Sequence, residues 1–238
     1  MSLLADPPVH ASVHASVDPS AADAYEAARD AVRSFLGGPQ AVVFVRDTTA
    51  AFGLLARIAP RGTGVVVLGD GRDDGQLPWR DAVHLTPPAT PSGAVAAARA
   101  ALEACPVGPR LLVVTAASIS GESWPVRELA EVAHACGARI AVDVAPHVAH
   151  GDPAVPGLDY VAFSGHRDHA APGCGVLAGR ADWLRASAPR PRGVSGSRRG
   201  VSGGRATSTA EAVRRHEAGA RDVSGALGLA AACHALVS

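Results

Sequence analysis

An α/β fold, a mostly parallel sheet with helices on both faces, is the architecture this sequence predicts, and three observations predict it. Short apolar runs bounded by turn residues, such as Ala41-Val-Val-Phe-Val45, recur along the chain. A run without polar alternation fits a strand buried on both faces. Longer amphipathic stretches separate most of these runs, the pattern of parallel strands joined by helices. The chain has 238 residues and is 47% hydrophobic, enough for one large core.

The elements follow in order. Residues 1–17 carry the near-repeat Val9-His-Ala-Ser and Val13-His-Ala-Ser, small and polar, and read as an arm outside the core that is able to pack on a partner subunit. Asp18-Pro-Ser supplies a helix N-cap, and Gly37-Gly38 stops the helix. Its expected apolar face is Ala24, Ala27, Ala28, Ala31, Val32, Phe35 and Leu36. Strand 41–45 leads through Arg46-Asp-Thr-Thr49 into a helix ending near Ile58. Then come strand 64–68, a polar loop over 69–76, strand 83–85, helix 91–104 and strand 111–115. Helix 126–136, closed by Gly137, precedes strands 139–142, 160–164 and 175–178. Residues 18–186 therefore read as one α/β domain. Residues 187–209 turn to Arg, Gly, Ser and Pro, with Arg192-Gly-Val-Ser-Gly196 repeated as Arg199-Gly-Val-Ser-Gly203, and read as a linker or surface loop with little to bury. Residues 210–238 read as a helical segment, helices 211–217 and 223–236, packing back on the domain.

Composition narrows the function classes. Net charge is zero, the basic residues are scattered, and no footprint for nucleic acid emerges. All 22 basic residues are arginine; the sequence contains no lysine. Cys105, Cys136, Cys174 and Cys233 lie far apart without metal-type spacing and read as free thiols of a reducing compartment. The N-terminus lacks a basic-then-apolar leader, and no apolar run is long enough for a bilayer, so a cytoplasmic protein with no membrane contact is expected.

Several side chains carry possible chemistry. Thr48 and Thr49 open a helix directly after a buried strand, which places two hydroxyls and backbone N–H groups where an anion binds. Parallel sheets bind ligands outside the carboxyl ends of their strands. Asp143, His147, His150, His166, Asp168 and His169 are dense in ligand chemistry and leave a metal site open as one reading. Asp70, Arg72, Asp73 and Asp74 form a charge run that is either solvated or, through Asp73, a general base over a pocket. Ser118, Ser120 and Glu122 have no histidine nearby in sequence to complete a triad. Cys174 is either a thiol activated by neighbouring charge or a small residue filling a turn.

Six segments together resemble the class V aminotransferase and cysteine desulfurase family: Phe44-Val-Arg-Asp-Thr-Thr, Leu77-Pro-Trp, Ser120-Gly-Glu-Ser-Trp-Pro, Ile140-Ala-Val-Asp-Val-Ala, Ser164-Gly-His-Arg and Arg215-His-Glu-Ala-Gly219. The resemblance implies the large domain of the fold-type I aminotransferase architecture, as a homodimer, with the family's C-terminal small domain and its persulfide-forming cysteine having no counterpart in these residues. It implies that Thr48, Thr49, Ser164 and His166 face the phosphate of a pyridoxal cofactor and that Asp143 pairs with the ring nitrogen. Other positions depart from the family pattern. The stacking histidine falls near Asp73, the asparagine before the Gly-Glu motif at Ser118, the ring-oxygen glutamine at Pro146, and the threonine that crosses the dimer interface at Ala220.

Arg167 stands where the family keeps its cofactor lysine. A guanidinium stays protonated, with a pKa above about 12, and cannot act as the amine of a Schiff base. The leading expectation is thus a relative that has lost internal-aldimine catalysis and acts as a pseudoenzyme or partner subunit, in a homodimer or a heterodimer with an active relative. The alternative is a lysine-independent enzyme, with Arg167 on the carboxylate of a small anionic, amino-acid-like ligand and His166 or Asp143 moving the proton. It would hold no covalent cofactor, only non-covalent pyridoxal or pyridoxamine phosphate. A further alternative is the metal site built from Asp143, His147, His150, His166 and His169. In the simplest case Arg167 pairs with Asp143 and fills the vacated space.

Overall fold

The structure is a computed structural model and describes residues 19–69, 78–79, 81–86, 88, 90–115, 124–148, 156–165, 174–187, 207–217 and 221–236. Along the chain these form α1 (Pro19–Phe35), β1 (Ala41–Val45), α2 (Thr48–Ile58), β2 (Gly64–Leu68), β3 (Val83–Leu85), α3 (Pro91–Ala104), β4 (Arg110–Thr115) and α4 (Val126–Ala135). They continue with β5 (Arg139–Asp143), α5 (Ala145–Val148), β6 (Tyr160–Ser164), β7 (Gly175–Gly179), α6 (Asp182–Ala186), α7 (Thr209–His216) and α8 (Val223–Ala235).

The strands form one seven-stranded sheet in the order β1-β7-β6-β5-β4-β2-β3. The run from β3 to β6 is parallel throughout, and β7 is antiparallel to both β6 and β1. The exception has a simple cause. About ten residues join β6 to β7, fewer than the dozen or so that a parallel crossover needs.

Strand alternation divides the core into two layers. Leu112, Val114, Ile140, Val142 and Phe163 face α1, α3, α4 and α8. Leu111, Val113, Ala141, Ala162 and Leu177 face α2, α6 and α7. Both faces of the central strands are buried, and for that reason their sequences run apolar without alternation. Gly179 closes β7 at φ +147, and a Cβ there would lie 2.1 Å from the Asp159 carbonyl oxygen, so only glycine fits.

The buried stripe of α1 differs from the expected one. It is Tyr25, Ala28, Arg29, Val32 and Phe35, while Ala27 and Ala31 are exposed. Burying the Tyr25 ring removes far more surface from water than an alanine does, and Arg29 follows it inward because the chain supplies a buried carboxylate. Its Nη1 lies 2.6 Å from Glu217 Oε1 and donates to the Val42 carbonyl at 2.7 Å. Two short helices, α5 and α6, have too few turns to register as periodicity in the sequence. Helix α7 begins at Thr209, earlier than expected, because the Ser208 side chain accepts from Glu211 N and caps it.

Candidate functional site

Three neighbouring parallel strands end in polar side chains. Thr115 closes β4, Asp143 closes β5 and Ser164 closes β6, and all three are buried. Thr115 pairs with Asp143 across the ladder, and Asp143 pairs with Ala162, two residues before Ser164. Period-two alternation puts the three on the face that Val113, Ala141 and Ala162 present to α2. Thr48, also buried, begins that helix. The sheet's carboxyl edge thus gathers Thr48, Asp143 and Ser164, three of the positions singled out in the sequence, and adds Thr115, which was not. Its signal was available as a hydroxyl ending the apolar run Leu111-Leu-Val-Val.

The approach of α2 to this edge depends on Gly175. Val45 and Ser164 both pair with Gly175 from opposite sides, and a Cβ on it would lie 2.8 Å from the Asp47 backbone. With no side chain there, the β1–α2 turn crosses directly over the start of β7 and carries Thr48 toward Ser164. The turn is also held from behind, where the Phe44 N–H donates to Glu217 Oε1 at 2.8 Å.

The helix N-terminus is less open than the sequence suggested. Asp47 is its N-cap, with its Oδ1 accepting from Ala50 N at 2.7 Å, and Arg46 Nε donating to Oδ2 at 2.7 Å. One N–H of the first turn therefore already has an anionic partner. The Asp47 carboxylate also takes up part of the positive potential that the helix end offers to an anion. Thr48, buried, and Thr49, half-buried, follow this cap as the first two residues of the helix.

Asp143 Oδ1 accepts the Ala145 N–H at 3.0 Å and so starts α5. This carboxylate is anchored at the carboxyl edge of the sheet, where the hydroxyl-bearing residues Thr48, Thr115 and Ser164 also lie. His166, Arg167, Asp168, His169, His150, Asp70, Arg72, Asp73, Asp74, Ser118, Ser120, Glu122 and Ala220 lie outside the described residues, as do the side chains of Pro146 and His147. The 1–17 arm and most of the 187–209 segment lie outside them too. Among the described residues no group of three or more His, Cys, Asp or Glu side chains is placed to hold a metal, and no helix is long and apolar enough to cross a membrane.

Cys174 resolves between its two readings. It is buried just before β7, and burial, with Asp222 and Glu217 carboxylates adding to it, pushes the thiol pKa up to about 12. The activated-thiol reading needed the opposite shift. The two carboxylates belong to the caps that end α7 (Glu217) and begin α8 (Asp222).

The geometry has close counterparts. The aminotransferase class-V family model matches residues 7–238. A cysteine desulfurase of Dickeya dadantii (strain 3937) is 35% identical over 242 residues, covering 94% of this chain and 58% of that protein. The apo cysteine desulfurase of Thermococcus onnurineus NA1 superposes with a TM-score of 0.73 at 27% identity, covering 94% of this chain and 60% of that one. Cysteine desulfurase CsdA of Escherichia coli, in an S-sulfonic acid form, superposes with a TM-score of 0.70 at 25% identity, covering 99% and 62%. The chain thus spans about three fifths of the length of these relatives.

Proposed function

The chain belongs to the aminotransferase class V family and has the fold-type I architecture, and from that premise we propose that it works without the family's covalent cofactor linkage, as a non-catalytic partner subunit. One observation carries this reading: the family's lysine position is Arg167, and all 22 basic residues of the chain are arginine. An always-protonated guanidinium has no lone pair to attack a carbonyl. A lysine displaced elsewhere in these residues cannot substitute, because there is none. The Asp47 cap points the same way, since its carboxylate competes with a phosphate at the start of α2. Such a subunit pairs with a second copy, or with an active relative to which it lends interface residues.

A second reading is supported by the polar edge. Thr48, Thr115, Asp143 and Ser164 share one face at the carboxyl ends of the strands, and that is where a small anion or a non-covalently held pyridoxal or pyridoxamine phosphate would sit. A bound pyridinium N–H would donate to the Asp143 carboxylate, and the hydroxyls would meet the phosphate, with Arg167 reserved for the carboxylate of an amino-acid-like ligand.

Titration of the protein with pyridoxal phosphate, pyridoxamine phosphate and inorganic phosphate separates the two. The partner-subunit reading predicts no saturable response to any of them. Saturable binding that borohydride fails to trap on the protein would overturn it in favour of the second reading.

A further inference from the structure

The outer side of an edge strand presents backbone N–H and C=O groups with which another chain's strand can pair. This sheet has two edge strands, β3 and β1. β3 has three residues, and so short an edge offers little to pair with. β1 is different. Its run Ala41-Val-Val-Phe-Val45 carries no charge, proline or glycine, the composition that favours pairing between chains. β7 takes one side of it, and among the described residues no strand takes the other.

Two groups on that outer side are nevertheless engaged. The Val42 carbonyl accepts from Arg29 Nη1 at 2.7 Å, and the Phe44 N–H donates to Glu217 Oε1 at 2.8 Å. One residue of a parallel strand lying opposite Val43 would engage these same two groups, donating to the first and accepting from the second. Here a guanidinium supplies the donor and a carboxylate the acceptor. The two are also bonded to each other, Nη1 to Oε1 at 2.6 Å and Nη2 to Oε2 at 2.8 Å.

Arg29 comes from α1 on one face of the sheet, and Glu217 ends α7 on the other, so the pair joins the two layers across the edge. Both side chains are buried by this chain alone, at 5% and 2% exposure. Apolar residues of similar volume often serve stability as well as a buried ion pair does. Stability alone therefore does not account for two charges at this place, whereas the backbone groups that they occupy do.

We propose that the Arg29–Glu217 pair plugs the open edge of β1, standing in for a missing strand and keeping a second copy of the chain from pairing there. Glu26 Oε2, which accepts from Arg29 Nε at 2.8 Å, and the Phe44 ring, with its centroid 5.1 Å from the guanidinium carbon, hold the fork in position. Without the pair, the Val42 carbonyl and the Phe44 N–H become available to another copy's strand.

The double variant Arg29→Ala, Glu217→Ala opens the edge, with Arg29→Met, Glu217→Leu in its place if circular dichroism shows the first to be unfolded. Leu129→Ala is the control, a truncation of a fully buried α4 side chain that destabilises the core without touching β1. Mass is followed by light scattering as the full-length protein is concentrated, and amide exchange by NMR. The opened variant is expected to reach at least double the wild-type mass, and exchange of its Phe44 amide, fast when dilute, to slow as the mass rises. Leu129→Ala should keep the wild-type mass. An opened variant that stays at the wild-type mass would overturn the proposal. So would association that leaves the Phe44 amide unprotected, since the copies then meet elsewhere, or equal association of Leu129→Ala, since partial unfolding then drives it.

Discussion

The Cys174 thiol sits in a low-dielectric pocket with Asp222 and Glu217 nearby, which holds it protonated with a pKa near 12. In the native protein it should therefore resist iodoacetamide at mildly alkaline pH, while the half-buried Cys105 and Cys136 alkylate first; peptide mass mapping checks the order. His216 behaves in the opposite sense to a surface histidine. Its folded pKa lies below the ordinary value of 6.5, so the unfolded chain takes up a proton before the folded one does. Its contribution to stability is complete above that value and is lost as pH falls from 6.5 toward the folded pKa. His216→Gln should flatten this part of the stability profile in urea denaturation run across that window. Neither shift could be read from the sequence, because each depends on residues that meet only in the fold: α8 against β7 for the thiol, α6 and α2 against α7 for the imidazole.

Helix α7 and strand β1 are coupled through one carboxylate. Glu217 pairs with Arg29 of α1, both nearly inaccessible, and accepts the Phe44 N–H of β1 just before the turn to α2. Removing one member leaves the other charge buried and uncompensated, which costs about 3–5 kcal/mol. Glu217→Ala is expected to lose stability on that scale, and a paired Arg29→Met, Glu217→Leu replacement should lose markedly less, a contrast that a double-mutant cycle in urea measures directly. At this scale the sequence was informative for the strands: buried parallel strands announce themselves as unbroken apolar runs, and β1, β2, β3 and β6 fall on the expected residues. It was uninformative where a tertiary partner decided the outcome. The stripe on α1 rotated because Arg29 found Glu217 188 positions away. The open helix end expected at Thr48 and Thr49 was partly closed because Asp47 folded back on Ala50. At the candidate site, Thr48, Asp143 and Ser164 converge by strand pairing, a relation that the alternation of strands and helices already implied. Thr115 joined them only once the order of β4 beside β5 was known.

The whole molecule belongs to the class V family and shares the fold of solved cysteine desulfurases at 25–27% identity. All 22 basic residues are arginine, and on the proposed reading Arg167 stands at the position on which covalent cofactor chemistry turns. If the partner-subunit account is right, the scaffold should keep the shape of the site while lacking its nucleophile. Restoring the nucleophile is then the sharpest test. Wild type and Arg167→Lys are each incubated with pyridoxal phosphate, scanned in the visible, reduced with borohydride and mapped by mass spectrometry. The account predicts no saturable cofactor band and no reduced adduct beyond the N-terminal amine for wild type, and a band with an adduct on residue 167 for Arg167→Lys. A saturable cofactor band in wild type, or no adduct on residue 167 of Arg167→Lys, would contradict it.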